Sequence, residues 1–223
     1  MKKIDIRHII NAARDTVNSH ELDTKGAYCR WLWQDDKGSR ELGINEYGCA
    51  DAMNILYTIN DFYCDEETRR ARINALLSLQ KKDSGMFVEA THHTIHTTAH
   101  CTAALQLFDA KPLYPLTALH EHMTKDALYK FLDEEVDWNN PWPQSHKGAG
   151  IYAALVNSDE ITEDFQKNYF DWFYENADEK TGFWRSGYAD KAPLADHSHP
   201  DGWDKPDALF AYMAGGFHYM FNP

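Results

Sequence analysis

Apolar residues recur along the chain at helical spacing, and two kinds of helical segment alternate. The first kind places apolar residues three and four positions apart among many charges, as in a helix with one face in water; it covers residues 5–20, 66–80, 116–133 and 161–176. The second kind is rich in Ala and Gly and poor in charge, which is typical of helices buried on most sides; it comprises CADAMNIL, HCTAALQL, GAGIYAAL and DALFAYMAGG. Period-two alternation is nowhere sustained. The pattern predicts an all-α fold with an outer and an inner helix layer.

The helices of the second kind follow similar turns, so the chain contains an internal repeat. Each unit has an acidic or amide turn with Gly or Trp, then a polar stretch, then a small-residue helix. Alignment on Ala52, Ala103, Ala153 and Ala208 gives steps of roughly 51, 50 and 55 residues, within the range of helical repeats. The sequence predicts about four α/α hairpins in a single domain spanning residues 1–223.

Composition narrows the classes of partner and compartment. The 223 residues carry a formal net charge of −13, which disfavours nucleic acid and anionic membranes as partners. The N-terminal residues lack the apolar stretch of a signal peptide, and no run is long enough to span a bilayer. Four cysteines are scattered without a CxxC pair, so we expect buried free thiols and a reducing, cytoplasmic location.

Two turns carry a resemblance to a known superfamily. LQKKDSGMF and NADEKTGFW resemble the Q-x-x-x-G-x-W/F repeats of the terpenoid cyclase and protein prenyltransferase α/α toroids. The resemblance implies inner and outer helices around a central cavity, a fold shared with many carbohydrate-active hydrolases, lyases and epimerases. The chain has no DxDD or DDxxD cluster and no identifiable Asp/Cys/His zinc triad, so the resemblance concerns fold and not terpenoid chemistry. About four hairpins make an incomplete ring. The arc is either open, or completed by a second copy or by a longer chain, and the last two are favoured.

In such a toroid the turns before the inner helices lie at one rim, so polar residues there are candidates for a common site. Counting six positions back from the residue before each aligned alanine gives Asn45, His96, His146 and Asp201. His96 and His100 are four residues apart and share a helix face, so they could contact one substrate or one metal ion. His197 or His199 could supply a further metal ligand, but the leading prediction contains no metal or cofactor.

Carboxylates and aromatic rings extend this predicted rim. Asp51 lies in an otherwise small, apolar inner helix, where an unpaired charge is costly, which favours a functional, cavity-facing carboxylate. Asp204 and Asp207 either stabilise the start of the next helix or act in acid–base chemistry. The tryptophans near the turns either stack on sugars or pack between repeats. The candidate acid–base residues are Asp51, His96, His100, His146, Asp204 and Asp207, and the candidate substrate-binding residues are Asn45, Glu46, His92, His93, Trp142, Trp184, Asp201 and Trp203.

Together these features predict an enzyme that acts on a carbohydrate or a similar polyhydroxylated small molecule. A hydrolase or lyase is favoured over a transferase, because the sequence contains no nucleotide-binding motif. One alternative is a non-catalytic helical-repeat module that binds a peptide or another subunit on its concave face. Another is a metal-dependent enzyme that uses His96, His100 and a further ligand.

Overall fold

The computed structural model describes residues 4–62, 65–137, 141–177 and 179, and these residues are mainly helical. A 3₁₀ helix, Thr117–His122, and π-helical turns, Phe131–Glu135, flank a short α-helix at Lys125–Lys130. The α-helices are α1 Arg7–Ser19, α2 Glu46–Thr58, α3 Glu66–Leu77, α4 Thr94–Leu107, α5 Lys125–Lys130, α6 Pro141–Asn157 and α7 Glu163–Asn176. Within the described ranges no strand forms, and isolated backbone bridges pair Glu21 with Tyr28 and Cys29 with Ile44. The all-α prediction is confirmed.

Burial separates the two kinds of helix that the sequence pattern indicates. Helix α1 buries Val17 alone, whereas α2 buries eight of its 13 residues and α4 eight of its 14. The Ala- and Gly-rich composition of α2 and α4 lets neighbouring segments approach on several sides, while the charged helices keep one face in water. None of the helices in the described part of the chain is long and apolar enough to cross a membrane.

Side-chain caps fix where several helices begin. Asn45 precedes α2 in an extended conformation, and its side-chain oxygen accepts hydrogen bonds from two backbone N–H groups of the first turn. Asp65 caps α3 and Thr162 caps α7 in the same way, as the acidic and hydroxyl residues at these positions predict. His93 caps α4 through its ring Nδ1, which accepts from the backbone N–H of Ile95.

Helices α2, α4 and α6 end with the same turn. The second residue after each helix has a left-handed backbone, with φ of 59° at Asn60, 52° at Asp109 and 61° at Asp159. The next N–H bonds to a leucine carbonyl five residues back in all three cases, over 2.8, 3.0 and 2.9 Å. This is the Schellman arrangement, with Asn or Asp in place of the usual glycine.

This shared turn shows how the sequences of the three helices align with one another. Asn60, Asp109 and Asp159 are 49 and 50 residues apart, so the alignment on Ala52 and Ala103 is two residues out between α2 and α4. Alanines recur throughout both helices and therefore do not fix a register, whereas the C-terminal turn does. Corresponding positions are then Tyr47, His96 and His146, and one turn later Asp51 and His100.

The chain divides into two compact units, one ending at Pro115 and the other beginning at Leu116. In the first unit α2 packs against α4, and the core contains Tyr28, Met53, Leu76, Phe87 and Phe108. In the second unit α5 packs against α7. There the hydroxyl of Tyr169 donates to the backbone oxygen of Gly148, which ties α7 to α6 over 2.8 Å. The single domain over residues 1–223 stays a prediction.

Candidate functional site

The histidine-rich segment runs along α4 beside α2, and the two helices exchange two side-chain hydrogen bonds. The hydroxyl of Tyr47 lies 2.6 Å from Nδ1 of His96. One turn further along both helices, Oδ1 of Asp51 lies 2.8 Å from Nε2 of His100. Residues four apart share a helix face, so both pairs lie along the same α2–α4 contact. We call Tyr47, Asp51, His92, His96 and His100 the tyrosine–histidine cluster.

The ring of Tyr47 forms the centre of this cluster. It stacks on His92 at a centroid distance of 4.3 Å and on His100 at 4.9 Å, with an interplanar angle of 24° in each case. Burial raises the pKa of Tyr47 above the ordinary value of a phenol, because a phenolate is poorly solvated there. The hydroxyl therefore keeps its proton near neutral pH and can donate it to an unprotonated Nδ1 of His96.

Glu89 supports the cluster from inside the protein. Its side chain is 3% exposed and accepts from Nη1 of Arg30 at 2.9 Å, and it also bonds to the backbone N–H of Thr91 and to Nδ1 of His92. Burial alone would raise the pKa of Glu89, but the hydrogen bonds of Thr91 and His92 and the charge of Arg30 outweigh it and lower the pKa. An ionised Glu89 thus holds two groups that contact the ring of Tyr47.

Arg30 reaches Tyr47 through its guanidinium group. The guanidinium carbon lies 5.0 Å from the ring centroid of Tyr47 and 5.1 Å from that of Trp31, within the range of a cation–π contact. This placement depends on Gly48, since a Cβ there would lie 2.6 Å from the backbone carbon of Cys29. Without a side chain at Gly48, the extended segment that carries Arg30 lies directly on α2.

The structure gives Asp51 a hydrogen-bond partner and a place at a cleft, and its role as a functional carboxylate stays a prediction. Its side chain is 52% exposed and paired with His100, so the expected cost of an unpaired buried charge does not arise. The helix is apolar on its buried sides, but position 51 faces outward. Asp51 borders a surface cleft of about 160 Å³ between α1, α2 and the segment around Arg30.

Three of the predicted substrate-binding residues lie at the start of a helix, and their role in binding stays a prediction. Glu46 is 5% exposed in the first turn of α2. Burial raises the pKa of Glu46, and the charge of Glu89 adds to this effect against the opposing charge of Lys81. Asn45 is buried as the cap of α2, and His93 caps α4. His92 remains with the predicted group, because it stacks on Tyr47.

The other predicted residues belong to the second unit or lie outside the described residues. His146 is half-buried on α6, at the position that corresponds to His96 on α4. Trp142 also lies on α6, and its side chain is outside the described part. The remaining candidates all lie outside the described residues, and their roles stay predictions: Trp184, His197, His199, Asp201, Trp203, Asp204 and Asp207.

The sequence prediction missed Tyr47, Arg30 and Glu89. Tyr47 was missed because the alignment of α2 with α4 was two residues out. With steps of 49 and 50 residues, Tyr47 aligns with His96 and His146. Glu89 had a weaker signal, an acidic residue directly after the apolar run GMFV. No local pattern marks Arg30, because Gly48 positions it through a contact that a sequence does not reveal.

The cysteines follow the sequence expectation where the structure describes them. Cys29, Cys49 and Cys101 are free and buried, while Cys64 lies outside the described residues. Burial raises the pKa of Cys49 to about 11 and also raises that of Cys101. Both thiols are therefore protonated near neutral pH.

A metal-binding arrangement is not found in the described ranges, where no three His, Cys, Asp or Glu side chains are placed to hold an ion together. Comparison of the whole chain with protein-family models, with curated proteins and with solved structures gives no match in any of the three. The tyrosine–histidine cluster is therefore interpreted from its own geometry.

Proposed function

We propose that the chain is an enzyme that performs acid–base chemistry on a carbohydrate or a similar polyhydroxylated small molecule. The observation that carries the proposal is the hydrogen bond of 2.6 Å between the hydroxyl of Tyr47 and Nδ1 of His96. Its neighbour is the pair formed by Asp51 and His100 at 2.8 Å. Histidine titrates closest to neutral pH of all side chains and is the commonest proton-transfer group in enzymes.

The Tyr47–His96 pair can move a single proton in a balanced step. In an elimination, the oxygen of Tyr47 takes the proton of a substrate C–H group while Nδ1 of His96 receives the phenolic proton. The C–H electron pair forms a double bond as the C–O bond to the leaving group breaks. The leaving oxygen then takes a proton from Tyr47 as His96 returns its own, so both residues end as they began. The stacked rings of His92 and His100 limit the movement of Tyr47. The carboxylate of Asp51 orients His100 in the way that a carboxylate orients a catalytic imidazole.

Of the two enzyme classes that the sequence favours, hydrolase and lyase, the geometry supports a lyase better. Glycoside hydrolysis generally requires two carboxyl groups that face one cavity. Asp51 is the one carboxylate of the tyrosine–histidine cluster, and Glu89 beside it already accepts hydrogen bonds from Arg30, Thr91 and His92. Elimination requires one group that removes a proton next to an acidic function and one that protonates the leaving oxygen, which a tyrosine–histidine pair can supply.

The resemblance to α/α toroids gives this proposal its architectural part. We propose that the hairpins belong to an incomplete α/α toroid, which a second copy of the chain could complete. Support comes from the common C-terminal turn of α2, α4 and α6 at steps of 49 and 50 residues. Equal steps are the property of stacked helical repeats.

Substitution of the pair tests the proposed chemistry. The protein is incubated with neutral and uronate oligosaccharides, and unsaturated products and new reducing ends are measured separately. Tyr47→Phe and His96→Gln should each lower turnover by about a hundredfold or more. The control Tyr57→Phe changes an exposed tyrosine of the same helix and should leave turnover unchanged. Undiminished turnover in folded Tyr47→Phe and His96→Gln would refute the proposal.

The non-catalytic binding module is the second candidate function. It is favoured by large exposed apolar side chains, of which Tyr174 is 84% and Trp33 is 66% exposed, since such side chains often mark partner surfaces. Peptide or subunit binding by such a module does not require two adjacent hydrogen-bonded pairs of titratable side chains. We therefore place it second.

A further inference from the structure

The cleft beside Asp51 combines an apolar wall with polar groups at its edge. Val17 of α1 and Ala52 and Ile55 of α2 form the wall, while His20, Arg30 and Asp51 supply the polar groups. The cleft has a volume of about 160 Å³. A concave apolar surface with a few convergent polar groups is the usual form of a small-molecule site.

Each of the three polar side chains has hydrogen-bonding capacity left over. Asp51 bonds to His100 through Oδ1, His20 to the carbonyl of Cys29 through Nδ1, and Arg30 to Glu89 and Thr91 through Nη1. In the described part of the chain, no protein group bonds to Oδ2 of Asp51, Nε2 of His20 or Nη2 of Arg30. One carboxylate oxygen, one imidazole nitrogen and one guanidinium nitrogen are therefore available to a ligand.

The charged side chains at the cleft already have protein partners. The carboxylate of Asp51 faces His100, and the guanidinium of Arg30 is paired with the buried carboxylate of Glu89. A charged ligand would have to compete with these pairs, whereas hydroxyl groups can use the remaining lone pairs and N–H groups without disturbing them. The cleft therefore favours a neutral ligand rich in hydroxyl groups.

We infer that this cleft binds one neutral sugar ring or a polyol of the same size, an inference that rests on the proposed function. Ala52 and Ile55 contact the apolar face of the ring, and Asp51 and Arg30 bond to neighbouring hydroxyls at its edge. The volume admits one ring, so in an oligosaccharide substrate this cleft holds a neutral ring while the ring that loses its proton lies at Tyr47 and His96. Asp51 belongs both to the cleft and to the tyrosine–histidine cluster. A ligand hydroxyl that bonds to Oδ2 of Asp51 is therefore linked to His100 through the same carboxylate.

Titration of the full chain with simple glycosides tests the site without any measurement of activity. The probes are methyl β-D-glucopyranoside, methyl β-D-galactopyranoside and methyl α-D-mannopyranoside, with D-glucuronate as the charged counterpart. The protein carries ¹³C-labelled Ala and Ile methyl groups. At least one neutral glycoside should give saturable shifts at the methyl signals of Ala52 and Ile55, with weaker binding of D-glucuronate.

Two matched substitutions locate the binding. Thr16 borders the cleft, and Thr58 lies at the end of α2 outside it. Both are exposed, and both donate their hydroxyl to the carbonyl four residues back, at 2.9 and 2.8 Å. Thr16→Trp should fill the cleft mouth and weaken binding by about tenfold or more, which corresponds to about 1.4 kcal/mol. Thr58→Trp should bind as the wild type does.

Three results would overturn the inference: no saturable shift with any neutral glycoside, equal binding by Thr16→Trp and the wild type, or tighter binding of D-glucuronate than of every glycoside. The same titration with Tyr47→Phe separates the inference from the proposed function. Retained binding with lost turnover supports both. Binding without any effect of Tyr47→Phe on turnover supports the site and refutes the proposed chemistry, and absent binding with lost turnover refutes the site alone.

Discussion

Glu46 and Glu89 are both buried near Tyr47, and their surroundings move their pKa values in opposite directions. For Glu46, burial dominates and raises the pKa. For Glu89, hydrogen bonds from Thr91 and His92 outweigh burial and lower it. A raised carboxyl pKa in the folded state reduces stability as pH rises, and a lowered one increases stability above the unfolded pKa. The first unit therefore contains one carboxyl group whose pKa is raised on folding and another whose pKa is lowered.

Substitution of Glu89 should destabilise the protein in a pH-dependent manner. Glu89→Gln leaves the charge of Arg30 without its partner, and at neutral pH we expect a loss of about 2 kcal/mol in the free energy of unfolding. The folded pKa of Glu89 is lowered, so the contribution of Glu89 is present above the unfolded pKa and disappears as pH falls through the folded value. Urea unfolding of both proteins across this pH range measures the difference.

Glu67→Gln provides the control for Glu89, since Glu67 also pairs with a cation but is 83% exposed. We expect a change below about 1 kcal/mol there, because exposed ion pairs contribute little. A Glu89→Gln protein whose deficit is as large in acid as at neutral pH would contradict the assignment of an ionised Glu89.

At the residue scale, the sequence predicted those residues whose type and spacing carry a signal of their own. His96 and His100 stand four apart, and Asp51 interrupts an apolar helix, so their involvement could be inferred. Tyr47 resembles an ordinary core aromatic in a helix of small residues. Its role depends on the register between α2 and α4, which the common turn at Asn60 and Asp109 reveals only in three dimensions.

At the level of whole helices, the left-handed residues after α2, α4 and α6 lie in the turns that end these helices. An L-residue with a β-carbon is strained in this conformation, while Asn and Asp tolerate it better and Gly tolerates it best. Asn60→Ala should therefore lower the free energy of unfolding by about 1 kcal/mol. Asn60→Gly should match or exceed the wild type, and chemical unfolding of the two variants makes the comparison. Equal stability of Asn60→Ala and Asn60→Gly would show that the turn is not strained.

The close approach of Gly48 to the preceding segment gives a second prediction at this scale. A Cβ at position 48 would lie 2.6 Å from the backbone carbon of Cys29 and 2.7 Å from the carbonyl oxygen of Tyr28, so backbone must move. Gly48→Ala should reduce stability by about 2 kcal/mol and shift the NMR signals of Tyr47. Gly43→Ala is the matched control, because a Cβ there meets nothing within 4 Å. Similar effects of both substitutions would refute the close-packing explanation.

The sequence predicted which segments are helical more completely than it predicted where a helical segment is interrupted. Hydrophobic spacing identified the helical segments that the structure describes. The predicted helix over 116–133 is instead divided into a 3₁₀ helix, α5 and π-helical turns. Thr124 caps α5 from the middle of this stretch, and apolar spacing alone does not indicate such an interruption, since it continues across the cap.

For the molecule as a whole, the net charge of −13 affects the stability of the folded state. Excess charge of one sign destabilises a compact state through self-repulsion, and salt screens this repulsion over distances of about 8 to 10 Å at moderate concentration. The internal ion pairs act in the opposite sense, because salt weakens them. Most of those with an exposed partner contribute little, so we expect the repulsion to dominate.

Salt should therefore stabilise the protein above its isoelectric point and not at it. Raising NaCl from about 0.01 to about 0.15 M at about pH 8 should increase the midpoint of urea unfolding, because the Debye length falls from about 30 to about 8 Å. Near pH 5.3, where the sequence predicts no net charge, the same salt series should change the midpoint little. A decrease in the midpoint at the higher pH would mean that ion pairs such as that between Arg30 and Glu89 outweigh the repulsion among the remaining acidic side chains.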